Sequence, residues 1–267
     1  NFKVQTPPAC PDVTGLMANN LSLTNVDVSW NAAAGATNYL WEIQDSPNPQ
    51  GTPGPIASGS GAGISAAAAG TYVDGNDYIL YVVSECPAQG TYQPLAFTLD
   101  LPPANDLCSG ATVLTCVSSL TGESSVNSTD QSGDVACSMG VGVWYKIAGT
   151  GDVITVDITN DSFDGELAIA SGSCGSLTNI SCTDGGISSE SASFASSIGT
   201  DYFIYFGDYA TGGSDAGTFD IAISCATPPA NNDCANAILV GANSVTPGTT
   251  VLATTTGNPG FCDYSLS

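Results

Sequence analysis

The chain has 267 residues, 25 of them aspartate or glutamate, and only two basic residues, Lys3 and Lys146; its formal net charge is −23, with no arginine and no histidine. That balance excludes a nucleic-acid binder, which needs a basic footprint to displace counterions, and an anionic membrane surface would repel the chain. Without histidine, no Ser-His-Asp triad, Cys-His pair or histidine zinc site can be built, and a divalent cation is the plain way to neutralise clustered carboxylates.

Ten cysteines, none in a CxxC motif, suffice for five disulfides and place the chain in an oxidising compartment, secreted or on the cell surface. No apolar run approaches the ~20 residues that cross a bilayer, so no membrane insertion is expected. No signal peptide is visible at the amino terminus. Asn-x-Ser/Thr sequons stand at Asn20, Asn127, Asn160 and Asn179. They read as glycosylation acceptors or as chance in a chain rich in Ser, Thr and Asn.

One phrase divides the chain. Pro102-Pro103-Ala104-Asn105-Asp106-Leu107-Cys108 returns as Pro228-Pro229-Ala230-Asn231-Asn232-Asp233-Cys234, 126 residues later. A proline pair cannot continue a sheet ladder and stiffens a linker, and Asn-Asp favours a turn. The repeat sets two complete units, 1–101 and 102–227, and the start of a third, 228–267.

In unit one, residues 21–30 alternate apolar and polar with a slip near Asn25, which reads as a bulge or a bend between strands. Residues 38–44 and 78–84 are further strand candidates. The Gly/Pro/Ala stretch between them, 46–70, cannot hold a long helix, and Ala66 to Ala69 is its single weak helical hint. Cys10 and Cys86 are the unit's only cysteines, and pairing them closes a long loop. Cys10-Pro11-Asp12-Val13-Thr14-Gly15-Leu16, Val26-Asp27-Val28-Ser29-Trp30, Ala36-Thr37-Asn38-Tyr39 and Gly75-Asn76-Asp77-Tyr78 together resemble a fibronectin type III domain over about residues 10–100. The resemblance implies a core role for Trp30 and a tyrosine corner at Tyr78. Two departures stand out: the Gly/Ala-rich middle, and the absence of an Arg-Gly-Asp loop. Trp41, like Trp30, reads as core.

Unit two shows strands at 142–147, 153–158, 166–170, 191–196, 202–206 and 218–224, separated by Gly and Asp/Asn/Ser turns. So many short strands in one unit indicate an antiparallel sandwich of jelly-roll type, making the whole chain all-β with tandem, disulfide-stapled sandwiches. Trp144 and Tyr145 are adjacent, so one is expected inside and the other outside. Six cysteines allow 15 connectivities. Cys234 and Cys262 lie 126 and 125 residues after Cys108 and Cys137, while Ala242 stands where Cys116 would recur. The pairing expected from this is Cys108–Cys137 and, in unit three, Cys234–Cys262. Cys174–Cys182 reads as a hairpin clasp, which leaves Cys116–Cys225.

Asn105-Asp106-Leu107-Cys108, Gly142-Val143-Trp144-Tyr145-Lys146, Ser171-Gly172-Ser173-Cys174 and Gly217-Thr218-Phe219-Asp220-Ile221 resemble the pre-peptidase C-terminal-like β-sandwich modules of secreted Bacteroidetes proteins, over residues 102–225. The resemblance implies a non-catalytic accessory module beside secreted peptidases or in multidomain adhesins exported by type IX secretion. Unit three repeats the junction, an apolar strand at 237–240 and a Thr-rich strand at 249–256, then stops; forty residues cannot bury a sandwich core alone. It is expected either to be a truncated piece or to be completed in trans by strands of a neighbouring subunit.

Asn160, Asp161, Asp164 and Glu166 fall within seven residues and offer oxygen ligands for calcium; the plain alternative is a solvated turn. Tyr202 and Tyr205, with Tyr209 beyond the strand, are either a stacking platform for a glycan or part of a central strand covered on both sides. No local motif selects a catalytic carboxylate pair, so no enzymatic activity is expected. The functional expectation is a structural or adhesive surface protein, a stalk or a filament, whose partners are copies of itself or neighbouring modules. The alternative is a carbohydrate- or protein-binding accessory region of a larger secreted hydrolase.

Overall fold

The computed structural model of the chain describes residues 10–186 and 189–254. It divides into two compact units, Asn1–Leu101 and Pro102–Ser267. Among the described residues no helix is long and apolar enough to cross a membrane.

Seven strands build unit one: β1 (Met17–Asn19), β2 (Asn25–Ser29), β3 (Asn38–Asp45), β4 (Ala57–Gly61), β5 (Ser65–Ala69), β6 (Asp77–Glu85) and β7 (Gln93–Thr98). They form a three-stranded sheet, β1-β2-β5, and a four-stranded sheet, β4-β3-β6-β7, the three-and-four arrangement of a fibronectin type III-like sandwich. Alternation drives the packing: Val26 and Val28 of β2 turn inward with Trp30, Tyr39, Ile43, Tyr78, Leu80 and Val82. Tyr78 makes the expected corner, its hydroxyl accepting the Val73 N–H at 2.8 Å.

The alanine run is a strand, not a helical turn. Ala66 to Ala69 lie in β5, paired with β2 from Asn25↔Ala69 to Ser29↔Ser65. Four alanines cannot offset the cost of nucleating a helix, whereas the exposed edge of β2 offers a full ladder. Gly59 on β4 has a specific reason: a Cβ there would lie 2.7 Å from the indole of Trp41, so only glycine lets that half-buried ring lie across the strand.

Unit two contains β8 (Thr112–Leu114), β9 (Ser119–Ser124), β10 (Gly142–Ala148), β11 (Val153–Thr159), β12 (Gly165–Ser173), β13 (Ser176–Thr183), β14 (Ser189–Ala195), β15 (Asp201–Asp208) and β16 (Thr218–Ala226). The sheets run β13-β12-β15-β10-β8 and β14-β11-β16-β9. From β9 onward the chain crosses between sheets at every connection except the β12–β13 hairpin, which is the jelly-roll path. β8 is the one departure from antiparallel pairing, lying parallel to β10.

The principal core fills the space between the sheets with Val143, Tyr145, Ile147, Val156, Ile158, Leu167, Ile169, Ile204, Phe206, Phe219 and Ile221. A second core lies on the other face of the five-stranded sheet, where Trp144, Ala168, Ala170, Phe203 and Tyr205 pack against Val135 and Met139 of the β9–β10 connection. Trp144 and Tyr145 are therefore both fully buried, on opposite faces, against the expectation that one would face solvent.

Among the described residues four disulfides are formed: Cys10–Cys86, Cys108–Cys174, Cys116–Cys225 and Cys137–Cys182. The expected pairs Cys108–Cys137 and Cys174–Cys182 are absent, and the hairpin geometry explains it. The β12–β13 turn closes at Ser173↔Ser176, so Cys174 sits at its tip while Cys182 lies opposite Ala168. Six strand residues separate Cys182 from that turn, about 20 Å, whereas a disulfide requires Cα atoms within about 7 Å. Each cysteine instead ties the hairpin to a different segment, Cys174 to the junction and Cys182 to the β9–β10 connection. Cys234 is exposed; the expected pair Cys234–Cys262 lies outside the described residues, as does the end of the strand expected at 249–256.

Residues 228–254 hold no strand, but their turns copy those that open unit two. The 3-10 turns Cys108–Gly110 and Cys234–Asn236 are preceded by near-identical backbones (Leu107 φ −99°, ψ 145°; Asp233 φ −96°, ψ 146°). Thr129 donates through N–H and hydroxyl to the Asp106 carboxylate; likewise the Thr254 N–H donates to Asn232 Oδ1, while the Asn232 amide donates to the Thr254 hydroxyl. Left-handed backbone recurs at Val117 and Asn243 and at Asn127 and Leu252. The strand expected at 237–240 is absent because β8, its counterpart, forms only beside β10, and residues 249–254 match the turn that follows β9 rather than a strand.

Two outcomes follow. Non-reducing peptide mapping should yield Cys108–Cys174 and Cys137–Cys182 peptides, and a Cys108–Cys137 peptide would refute the arrangement. Tyr78→Phe should destabilise unit one by about 1–2 kcal/mol in urea unfolding, because it strands the Val73 N–H.

Candidate functional site

The acidic run after β11 does not act as one cluster. Asn160 takes a left-handed backbone and is exposed, and its amide donates to Asp220 Oδ2 at 2.6 Å. That bond, with the Gly122 N–H, holds the Asp220 carboxyl below its usual range. Phe163 turns into the principal core against Phe206, fixing the connection between Asp161 and Asp164. Asp161 is buried and Asp164 half-buried. Glu166, two residues along β12 from Asp164, shares a face with Ala168 and Ala170 and lies beside the Cys137 and Cys182 sulfurs. Burial first, then the charge of Asp184, pushes its carboxyl up.

The group that feels the charges of Asp161 and Asp164 is Glu190. It stands opposite Ile158 on β14, in the inward-facing row of Ala192 and Phe194, and is 1% exposed. Its Oε2 accepts the Gly185 N–H at 2.6 Å, while Oε1 is buried without a hydrogen-bond partner. Burial pushes the carboxyl up to about 7; the Gly185 N–H opposes this, and the charges of Asp184, Asp161 and Asp164 add to it. The structure therefore splits the expected set Asn160, Asp161, Asp164, Glu166: Asn160 is bonded to Asp220, Glu166 lies on the face of β12 that carries Ala168 and Ala170, and the charges of Asp161 and Asp164 act on Glu190 instead. Glu190 had a sequence signal. In Ser189-Glu190-Ser191-Ala192-Ser193-Phe194 it occupies an apolar register position, which is hidden if the strand is begun at Ser191.

Asp208 is buried for a different purpose: its oxygens accept the N–H groups of Ala210 and Asp215 and close the β15–β16 connection. The glycan platform is not formed. Tyr202 and Tyr205 are 5% and 0% exposed and face opposite cores, and Tyr205 donates to the Gly140 carbonyl at 2.7 Å; only Tyr209 is exposed. The strand is covered on both sides. Of the sequons, Asn20, Asn127 and Asn160 are exposed, whereas the Asn179 amide donates to the Val135 carbonyl.

No family model matches the chain, and no curated protein matches it. Among solved structures it is similar to the fn3 domain of human collagen alpha-1(XX) in solution (18% identity, 38% of this chain and 96% of that one, TM-score 0.30). The crystal structure of a human collagen XX FN3 domain is similar at 20% identity, covering 37% and 97%, with TM-score 0.28. An Fn3-like protein from Clostridium thermocellum is similar at 22% identity, covering 33% and 92%, with TM-score 0.27.

The Glu190 shift makes a pH prediction. Unfolded, this carboxyl loses its proton near its ordinary 4.5; folded, it keeps it to about 7. Between those values the folded state binds more protons, so stability falls as pH rises through the window, by at most about 3 kcal/mol. In metal-free buffer, urea unfolding of the chain should show this loss between pH 4.5 and 7, and Glu190→Gln should abolish it. A wild type and variant with parallel pH profiles would refute it.

Proposed function

We propose that this is a non-catalytic stretch of an extracellular structural or adhesive protein, built of rigid β-sandwiches joined in series. The observation that carries this reading is the junction. Pro-Pro-Ala-Asn with a cysteine three residues beyond the asparagine occurs at Pro102 and again at Pro228, a shorter Pro-Pro-Ala-Cys stands at Pro7, and the two longer copies share turn geometry and a threonine N–H bond to the second residue after the alanine. A chain that reuses one linker to launch successive sandwiches has the construction of a stalk. The four disulfides favour an oxidising, extracellular setting. The absence of histidine, and the use of acids such as Asp208 and Asp106 as acceptors for backbone N–H groups, favour a scaffold over a catalyst. The filament form of this reading has residues 237–254, which carry exposed Leu239 and Val245, receiving strands from another copy.

Sedimentation velocity and negative-stain electron microscopy of the full chain test the assembly: end-joined rods or filaments support the filament, and a strict monomer at high concentration confines the reading to a stalk. Antibody labelling of intact source cells should be positive. Absence of surface labelling, or hydrolysis of casein or polysaccharide by the purified chain, would overturn the proposal.

A further inference from the structure

The connection between β9 and β10 lies over Trp144 and Tyr205, and little besides a disulfide fixes its middle. Its two ends are tied through Tyr205, whose hydroxyl accepts the Gln131 N–H at 3.3 Å and donates to the Gly140 carbonyl at 2.7 Å. Among the described residues, three things hold residues 132–139 between those ties. They are the Cys137–Cys182 bond, one hydrogen bond from the Asn179 amide to the Val135 carbonyl, and the packing of Val135 and Met139. Cys182 is exposed, on the edge strand β13, and Cys137 is half-buried. Asn179 Nδ2 stands 3.0 Å from Cys137 Sγ and 3.2 Å from Cys182 Sγ. No other disulfide sulfur among the described residues receives a hydrogen bond, and that includes Cys174, which is also exposed.

From this geometry we infer that Cys137–Cys182 is an exchange-labile disulfide, opened by an external dithiol, and that its opening releases the cover of the second core. A thiolate of the dithiol attacks the exposed Cys182 Sγ, the S–S bond breaks, and the electron pair leaves on Cys137. The second thiol then attacks the mixed disulfide and frees Cys182. The dithiol is thereby oxidised to its own disulfide, and its two protons pass to the two cysteines. Exchange is faster when the departing sulfur is the more stable thiolate, and the Asn179 N–H stabilises that charge. As a thiol, Cys137 finds the Val135 and Ser181 carbonyls 3.7 and 4.0 Å from its sulfur, placed to accept the S–H. A Glu166 carboxyl oxygen lies within 4.8 Å of both sulfurs. While ionised it repels a thiol that carries further negative charge, as does the chain's net charge of −23, so the reductant class that fits is an uncharged dithiol. This goes beyond the structural reading above and does not depend on it.

Partial reduction of the full chain with dithiothreitol, followed by alkylation and peptide mass mapping, tests it. Cys137 and Cys182 should be labelled while Cys10–Cys86, Cys108–Cys174 and Cys116–Cys225 remain intact. Tryptophan emission should move to the red in step with that labelling, and Trp144→Phe should remove the change. In Cys182→Ser, the pH profile of Cys137 alkylation should move up by about one unit when Asn179→Ala is added, the effect of one lost hydrogen bond to a charged group. Glu166→Gln should speed opening by anionic glutathione more than opening by uncharged mercaptoethanol, and equal gains would refute the stated reductant class. Opening of Cys108–Cys174 as early as Cys137–Cys182, labelling without a change in emission, or an unmoved alkylation profile defeats the inference. Should Asn179→Ala fail to fold, the order of opening and the emission change in the wild type decide it alone.

Discussion

Strand β15 carries aromatic or aliphatic side chains on both faces, so the five-stranded sheet of the second unit must be covered twice. The facing sheet covers one side with Ile158, Phe219 and Ile221. The other side has no third sheet to meet it, and the connection between β9 and β10 takes that place by laying Val135 and Met139 over Trp144 and Tyr205. An irregular segment has little ladder of its own to hold it there, and disulfides around it act instead. Cys137–Cys182 fastens it to β13, and Cys108–Cys174 fastens the junction to the tip of the same hairpin. Asn105 adds a third tie, donating to the Trp144 carbonyl while its own carbonyl accepts the Trp144 N–H. The long connection and the positions of these cysteines are thus consequences of one two-faced strand.

A second constraint is the shortage of cations. With one exposed ion pair among the described residues, the carboxylates are satisfied by amides instead. Asp208 and Asp106 accept backbone N–H groups, and Asp27 and Asp220 accept Asn side chains that hold their carboxyls low. These bonds favour the charged form without any positive partner. Glu190 breaks the pattern. It receives a single N–H and is pushed up by burial and by its acidic neighbours, which marks its end of the sandwich as electrostatically unlike the rest.

What was legible in the sequence follows the range of the physics. Alternation along β2, β11 and β16 and the spacing of turns announced two sandwiches, because those signals are local. Cys10–Cys86 was legible because unit one offers no other partner. Cys108 and Cys137 were misread because their recurrence at Cys234 and Cys262 shows that the positions repeat, not that they touch; pairing depends on where the β12–β13 turn closes. Tyr205 and Trp144 were open to two readings because a strand's sequence reveals that both faces are apolar but not what covers the second face. Ala66 to Ala69 became a strand through a partner, β2, distant in sequence. The candidate site was half legible for the same reason: Asp161 and Asp164 are neighbours in sequence, while Glu190 comes under their charge only through the pairing of β14 with β11.

Residues 228–254 separate these two kinds of information within one chain. Their turns reproduce those of residues 102–129 down to the side-chain contacts, although Asn232 replaces Asp106 and only an acceptor oxygen and a neighbouring threonine are kept. Their strands are not reproduced, although Ile238, Leu239 and Val240 match β8 in apolar character. A turn is closed by residues three or four apart and costs little loop entropy, whereas a strand exists only as half of a ladder. The junction is therefore encoded by its own dozen residues and can be placed before any sandwich, while the sandwich after it depends on strands contributed from far along the sequence.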